Sequence, residues 1–234
     1  MLIVVLLIIQ VLLFAIGILG PWRDANATGR LPRAIRMLLS FSLVVAAFAI
    51  WLSGAKQQTY AQWVAFGMLA SFIGDLIMAK LIPLPNRLIG GMIAFAIAHL
   101  LYINAYIGTI QTISSIEPYN RWTTALSLGL AFYAVISIGG WWMLIRNPQK
   151  DAATNIGALV YGMLVGTMAA FALGLASAVG GGFWLTAIGG LLFTSSDFLI
   201  GVTDIRGIKI KNANDWIWLT YVLAQAGIIY AGGI

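Results

Sequence analysis

Three ionisable side chains lie inside long apolar stretches of the sequence: Asp75, His99 and Asp197. An ionisable group surrounded by hydrocarbon costs on the order of a few kcal/mol or more, so residues of this kind have a partner or a function. Two carboxylates in a poorly solvated cavity suit acid and base catalysis, because one can stay protonated while a hydrogen bond or a nearby charge keeps the other ionised. We therefore predict that Asp75 and Asp197 are catalytic.

Other polar side chains share helix faces with two of these residues. Ser71 precedes Asp75 by four residues and Tyr102 follows His99 by three, and both spacings put the two side chains on one face of a helix. Such side chains also suit hydrogen bonds that hold helices together, so a structural role stays open for them and for His99. The residues that we expect to orient water or substrate are His99, Tyr102, Tyr221, Gln225, Ser71 and Ser196.

Other kinds of site are poorly supported. The sequence has no cysteine and a single histidine, whereas a metal site needs at least about three ligands such as His, Asp or Glu. It contains neither the G-x-S-x-G elbow of a serine hydrolase nor a phosphate-binding glycine loop. We therefore expect neither a metal nor another cofactor.

The elements that must hold these residues are apolar helices. Of the 234 residues, 61% are hydrophobic and 9% are charged, compared with about 25% charged residues in soluble domains. One membrane span needs about 20 apolar residues, so the chain has room for about eight spans and no soluble domain. We predict a single polytopic domain over residues 1–234, an all-α bundle of about eight transmembrane helices. The predicted spans are residues 1–20, 34–52, 60–82, 87–110, 122–145, 155–179, 183–203 and 214–233.

Proline, glycine and asparagine separate or join these spans. Pro83 cannot continue the third helix, and Gly180-Gly181-Gly182 predicts a tight hairpin between the sixth and seventh helices. Asn212 or Asn214 is positioned to cap the last helix. The glycines within spans that we expect to let neighbouring helices approach closely include Gly162, Gly166, Gly189 and Gly190.

Positive residues are distributed unevenly between the two ends of the predicted helices. Loops one, three, five and seven hold eleven of the thirteen Lys and Arg residues, and the other loops hold only Lys56 and Arg121. Because Lys and Arg stay on the cytoplasmic side during insertion, both termini are predicted to lie on the non-cytoplasmic side. The pattern favours a multi-pass protein of a bacterial inner membrane, whose basic face against anionic lipid explains the pI of about 9.8 without a nucleic-acid partner.

This orientation brings the ionisable residues to similar depths. Asp75 and Asp197 precede the basic residues Lys80 and Arg206 by five and nine residues, or about 8 to 13 Å of helix. His99 follows Arg87 by twelve residues, or about 18 Å. The polar residues are therefore predicted to converge on one cavity that opens toward the cytoplasmic leaflet.

Four short motifs occur in an order and spacing that resemble a known family. They are Gly67-Met-Leu-Ala-Ser-Phe-Ile-Gly-Asp75, Phe95-Ala-Ile-Ala-His-Leu-Leu-Tyr102, Gly190-Leu-Leu-Phe-Thr-Ser-Ser-Asp197 and Thr220-Tyr-Val-Leu-Ala-Gln225. Together they resemble the YhhN-type lysoplasmalogenases, and the resemblance extends from the third helix to the last. The family usually has Lys-Pro near the start of its second helix, where this chain has Arg33-Ala-Ile-Arg36.

The resemblance implies hydrolysis of the vinyl ether bond of a lysoplasmalogen, which gives a fatty aldehyde and a glycerophospho-head group. Asp75 and Asp197 would supply the acid and the base, with either assignment open, and a hydrophobic channel between helices would hold the alkenyl chain. The expected partners are a lyso-phospholipid substrate and the bilayer. The residues that would meet the phosphate are Arg36, Lys80 and Arg87.

Two other functions use the same residues. In a proton- or cation-coupled transporter of small molecules or lipids, the intramembrane aspartates would relay protons or bind a cation. An enzyme acting on a different ether or ester lipid is also consistent with the sequence. A purely structural scaffold is the least supported, because it does not need acidic residues at this depth.

Overall fold

Eight α-helices, in the order predicted, account for most of the residues that the structure describes. A computed structural model describes residues 2–19, 31–113 and 116–232, and no strand occurs within these ranges. The all-α prediction is therefore confirmed for the described residues. The helices are α1 (Leu2–Leu19), α2 (Arg33–Leu52), α3 (Gln58–Met78), α4 (Arg87–Ile113), α5 (Ile116–Gly140), α6 (Ala152–Val179), α7 (Trp184–Ile200) and α8 (Ala213–Ala231).

Six helices, α2 to α7, are long and apolar enough to cross a membrane. Helix α1 provides a shorter apolar segment, Val4–Leu19. Helix α8 is not among these six, and it carries several polar residues, including Asp215 and Gln225. The described residues thus form an all-helical bundle with six candidate membrane spans, and the crossings by α1 and α8 stay predictions.

The third helix ends earlier than predicted. The predicted span runs to residue 82, whereas α3 ends at Met78. Lys80 adopts a left-handed conformation with φ of 60°, and the backbone N–H groups of Leu81 and Ile82 both donate to the Leu76 carbonyl. This closing turn satisfies the last carbonyls of the helix, so the chain has already changed direction before it reaches Pro83.

Two other local predictions have mixed outcomes. The hairpin between α6 and α7 is confirmed, because Gly180 and Gly181 adopt positive φ values of 76° and 56° that suit glycine. Asn212 occupies the position before α8, but its side chain makes no capping hydrogen bond. Asp151 does cap α6, and hydrogen bonds from the hydroxyl and backbone N–H of Thr154 hold the pKa of this carboxyl below its ordinary value.

Six of the helices form a closed ring around the polar residues. Going around the ring, α2 packs against α3, α3 against α4, α4 against α6, α6 against α7, α7 against α8, and α8 returns to α2. Helix α1 packs on the outside of α2, and α5 packs on the outside of α6. Only 11% of the α5 span is buried, so most of this helix faces outward as a lipid-exposed helix does.

The ends of α5 and α7 widen into π-helical turns that lie against each other. These turns are Trp141–Ile145 and Gly201–Ile205. The Ile145 side chain fills the space beside Gly201, where a Cβ atom would come within 2.8 Å of Ile145 Cδ1. Asn147 and Arg206 tie the two ends together by donating to the Ile205 and Arg146 carbonyls, respectively.

Glycines let neighbouring helices approach closely, as predicted for Gly166, Gly189 and Gly190. A Cβ on Gly189 would lie 2.8 Å from the Ala224 carbonyl oxygen, and one on Gly190 would lie 2.8 Å from Ala169 Cα. The prediction that Gly162 also packs closely is wrong, because no heavy atom lies within 4 Å of where its Cβ would be. Gly162 instead borders open space inside the bundle.

Gly227 provides a test of the close contact between α7 and α8. A Cβ there would lie 2.6 Å from the Leu185 carbonyl oxygen, and backbone gives way less easily than a side chain. We expect Gly227→Ala to lower the free energy of unfolding by about 1 to 3 kcal/mol, the usual cost of overpacking. Reversible unfolding in detergent measures this change. Gly139→Ala is the matched control, because its Cβ would meet nothing within 4 Å, and an equal loss in both variants would contradict the close contact.

Candidate active site

The two predicted catalytic aspartates line one cleft at the basic end of the ring. Asp75 lies in the last turn of α3, and Asp197 lies one turn before the end of α7. The cleft, which we call the polar vestibule, encloses about 590 Å³ of empty space, including the part that opens outward. Its polar and aromatic lining consists of Arg36, Asp75, Phe95, Ser196, Asp197, Asp204, Asn214, Trp218 and Tyr221.

Asp75 receives two hydrogen bonds on one carboxylate oxygen. The Ser40 hydroxyl of α2 donates to Oδ2 at 2.5 Å, and the Tyr221 hydroxyl of α8 donates to the same atom at 2.7 Å. Arg36 lies one turn before Ser40, lines the same vestibule and stacks its guanidinium over the Trp218 ring at 5.5 Å. Hydroxyl donors and a neighbouring cation both favour an ionised carboxylate.

Asp197 belongs to a separate chain of hydrogen bonds. The Tyr161 hydroxyl of α6 donates to Asp197 Oδ2 at 2.6 Å, and His99 Nε2 lies 3.3 Å from the same hydroxyl. Because Tyr161 donates its only proton to Asp197, its oxygen accepts from His99, and we assign the hydrogen of the imidazole to Nε2. His99 is fully buried, and its Nδ1 has no hydrogen-bond partner within the described residues.

The other predicted orienting residues divide into two groups. Ser196 and Tyr221 line the polar vestibule, where Ser196 also donates to the Ile217 carbonyl. Tyr102 and Gln225 are fully buried behind it and bond to each other, with the Tyr102 hydroxyl 2.7 Å from Gln225 Oε1. Ser71 is also fully buried, with its hydroxyl 3.5 Å from that of Tyr102.

The three predicted phosphate-contacting residues occupy different positions. Arg36 is buried and lines the vestibule. Arg87 lies at the start of α4, where it donates to the Met78 carbonyl and approaches Asp204 Oδ2 to 3.7 Å. Lys80 is exposed in the connection between α3 and α4 and does not line the vestibule.

A second cleft meets the polar vestibule at Asp197. This apolar cleft lies between α4, α5, α6 and α7 and contains about 760 Å³ of empty space, including the part that opens outward. Its walls are mostly hydrophobic, and they include Tyr161 and Gly162. The residues that line both clefts are Met78, Phe95, Asp197 and Ile200, whereas Asp75 lines the vestibule but not the apolar cleft.

The sequence comparison identifies the family. The model of the YhhN family matches residues 32–232, which include all of α2 to α8. The chain belongs to the YhhN family. The resemblance found in the four motifs is therefore confirmed, and the YhhN match covers the whole six-helix ring. No curated protein and no solved structure matches the chain.

Three contacts of this YhhN site were not predicted from the sequence: those of Ser40, Tyr161 and Trp218. Two of them had a detectable signal. Tyr161 follows Lys150 by eleven residues, which puts it about 16 Å from the basic end, close to the depth of His99. Ser40 follows Arg36 by four residues and so shares its helix face.

The acidic and histidine side chains of the site do not cluster as a metal centre does. His99 Nε2 and Asp197 Oδ2 lie 3.9 Å apart, but no third His, Asp or Glu joins them in the described part of the chain. What the arrangement offers is two carboxylates, each bonded by hydroxyl groups from other helices, facing one cavity. Such a pair can give a proton and take one at neighbouring positions.

The buried bond between Tyr102 and Gln225 is expected to join α4 to α8. Tyr102→Phe and Gln225→Leu should each lower the free energy of unfolding, and a double-mutant cycle should give a coupling energy of about 0.6 to 1.7 kcal/mol, as for other hydrogen bonds between membrane helices. Unfolding titrations in detergent measure all four proteins of the cycle. As a control, Tyr102→Phe with Gln10→Leu should be additive, since Gln10 bonds to Tyr230 instead. Additivity in the first cycle would contradict the bond.

Proposed function

We propose that the protein hydrolyses the vinyl ether bond of a lysoplasmalogen, or of a related lyso ether lipid, to a fatty aldehyde and a glycerophospho-head group. The observation that carries this proposal is the junction of the two clefts. A vestibule with two carboxylates and an arginine meets an apolar cleft at Asp197. Membership of the YhhN family supports the same reaction.

The chemistry needs one acid and one base. Vinyl ethers break when a proton is added to the carbon that is β to the oxygen, which leaves an oxocarbenium ion. Water then attacks the carbon bonded to oxygen, and the resulting hemiacetal separates into an aldehyde and an alcohol. One of the two aspartates, Asp75 and Asp197, donates the proton and the other accepts one, and a carboxylate beside the cation stabilises it.

The two clefts match the two parts of such a lipid. The alkenyl chain occupies the apolar cleft, and the phosphate lies in the vestibule, where the Arg36 guanidinium can bind it through charge-assisted hydrogen bonds. Arg87 approaches Asp204 of the vestibule, and Lys80 is exposed two residues after Met78, which lines it, so both add positive charge near the path of the head group. Ser196 and Tyr221 present hydroxyl groups that orient the water or the glycerol.

The same proposal includes the orientation in the membrane. Helices α1 to α8 all cross the bilayer, both termini lie on the non-cytoplasmic side, and the vestibule opens to the cytoplasmic leaflet of a bacterial inner membrane. The positive residues support this orientation, because the connections α3–α4, α5–α6 and α7–α8 hold Lys80, Arg146, Lys150 and Arg206.

Substitution of the two aspartates tests the activity. In purified protein incubated with a lysoplasmalogen, Asp75→Asn and Asp197→Asn should each reduce aldehyde release by about 100-fold or more, because each removes one proton-transfer step. Ser195→Ala is the control on α7, since that hydroxyl bonds only to the Leu191 carbonyl of its own helix. Full activity in both Asn variants would contradict a catalytic pair. No aldehyde from the wild-type protein, together with proton-coupled uptake in liposomes, would support a transporter instead.

Gly162 allows the apolar cleft to be filled without a clash. Since nothing lies within 4 Å of its Cβ position, the side chain of Gly162→Leu projects into the cleft. We expect the KM for long alkenyl chains to rise by about 10-fold, and shorter chains to be preferred, because the lost space is worth one or two buried methylene groups. Aldehyde release from substrates of graded chain length measures this preference.

Gly139→Leu is the matched control for this experiment. Gly139 is also a helical glycine with open space around it, but it does not line the apolar cleft. An unchanged chain-length preference in Gly162→Leu, or the same change in both variants, would contradict binding of the chain in this cleft.

A further inference from the structure

The proposed reaction has a direction along the lipid. The carbon that receives the proton belongs to the alkenyl chain, and the carbon that receives water is bonded to the ether oxygen and so lies toward the glycerol. The acid therefore has to lie on the chain side of the double bond, and the base on the head-group side. The two carbons are the two ends of the double bond, so the acid and the base act on adjacent atoms.

The positions of the two aspartates in the clefts follow the same order, from the chain toward the head group. Asp197 lines both the apolar cleft and the polar vestibule, so it lies where the chain meets the head group. Asp75 lines only the vestibule, together with Arg36. A lipid whose chain fills the apolar cleft and whose phosphate approaches Arg36 therefore presents its chain carbon to Asp197 and its ether carbon to Asp75.

The contacts of the two carboxylates also differ, and the difference favours an ionised Asp75 and a neutral Asp197. Asp75 accepts from two hydroxyl groups and shares its cavity with a guanidinium, and these contacts stabilise the ionised form that a base requires. Asp197 accepts from one hydroxyl, that of Tyr161. Its other cleft is mostly hydrophobic, an environment that favours the neutral acid.

On the basis of the proposed function, we infer that Asp197 is the acid that protonates the chain carbon and that Asp75 is the base that activates water. The O–H bond of Asp197 breaks as the π electrons of the double bond form the new C–H bond, which leaves a cation shared by the ether carbon and oxygen. Asp75 takes a proton from water while the water oxygen bonds to that carbon. The product of these two steps is a neutral hemiacetal.

The second half of the reaction restores both residues. The hemiacetal hydroxyl returns its proton to the Asp197 carboxylate as the C=O bond forms. The C–O bond to glycerol breaks, and the glycerol oxygen takes the proton held by Asp75. One lipid and one water are thus converted to one aldehyde and one alcohol, and Asp197 is again protonated and Asp75 ionised.

Rescue by azide tests the assignment. Azide is a nucleophile that needs no base, and Arg36 gives the vestibule a positive charge that attracts an anion. With Asp75→Ala, sodium azide should raise the rate of vinyl ether loss by about 10-fold or more and give an azide adduct at the ether carbon, since the acid is still present. With Asp197→Ala, azide should have no effect, because the chain carbon is not protonated. Loss of lysoplasmalogen and formation of the adduct are both followed by mass spectrometry.

The outcomes separate this assignment from the proposed function. Rescue of Asp197→Ala alone, of both variants or of neither would overturn the assignment while wild-type protein and Ser195→Ala still release aldehyde. Absence of aldehyde from the wild-type protein would overturn the proposed function and the assignment with it. If an alanine variant does not fold, Asp75→Ser and Asp197→Ser form a second pair that also leaves space for azide.

Discussion

The cost of keeping a carboxylate in a hydrocarbon environment determines how this bundle is assembled. Within the described residues, the side-chain hydrogen bonds that Asp75 and Asp197 accept come from other helices. Asp75 is held by Ser40 of α2 and Tyr221 of α8, and Asp197 by Tyr161 of α6. Because each bond joins two helices, satisfying the carboxylates holds α3 to α2 and α8, holds α7 to α6, and constrains how these helices are rotated. Two of these pairs, α2–α3 and α6–α7, are neighbours in the ring, and the bond between α3 and α8 crosses it.

Much of the fold could be predicted from the sequence, because the signals for it are local. Apolar stretches gave the eight helices, and glycine gave the hairpin between α6 and α7. The early end of α3 was missed because proline marks only where a helix can no longer continue. The chain turned sooner, through a left-handed residue, Lys80, whose sequence context gives no such signal.

The candidate site could be predicted only in part, because spacing gives the depth of a residue but not the direction it faces. Depth was enough to bring Asp75 and Asp197 to one level, and both do line the polar vestibule. Depth also brings Tyr161 close to the level of His99, but it does not show that Tyr161 faces the site, since nothing in the sequence distinguishes a helix of the ring from one outside it. The spans of α5 and α6 have mean hydropathies of 1.8 and 1.9, yet 11% of one and 33% of the other is buried. Which helix contributes to the site depends on long-range packing.

The outer position of α5 has a consequence for how the proposed activity should be expressed. This helix forms one wall of the apolar cleft and is itself mostly exposed, so only a single helix separates the cleft from the surrounding lipid on that side. A lipid that uses the cleft therefore diffuses to it within the plane of the bilayer, in two dimensions. The quantity that sets its occupancy is the mole fraction of that lipid in the leaflet, and diluting the membrane with inert lipid lowers the occupancy even when the amount per volume of solution is unchanged.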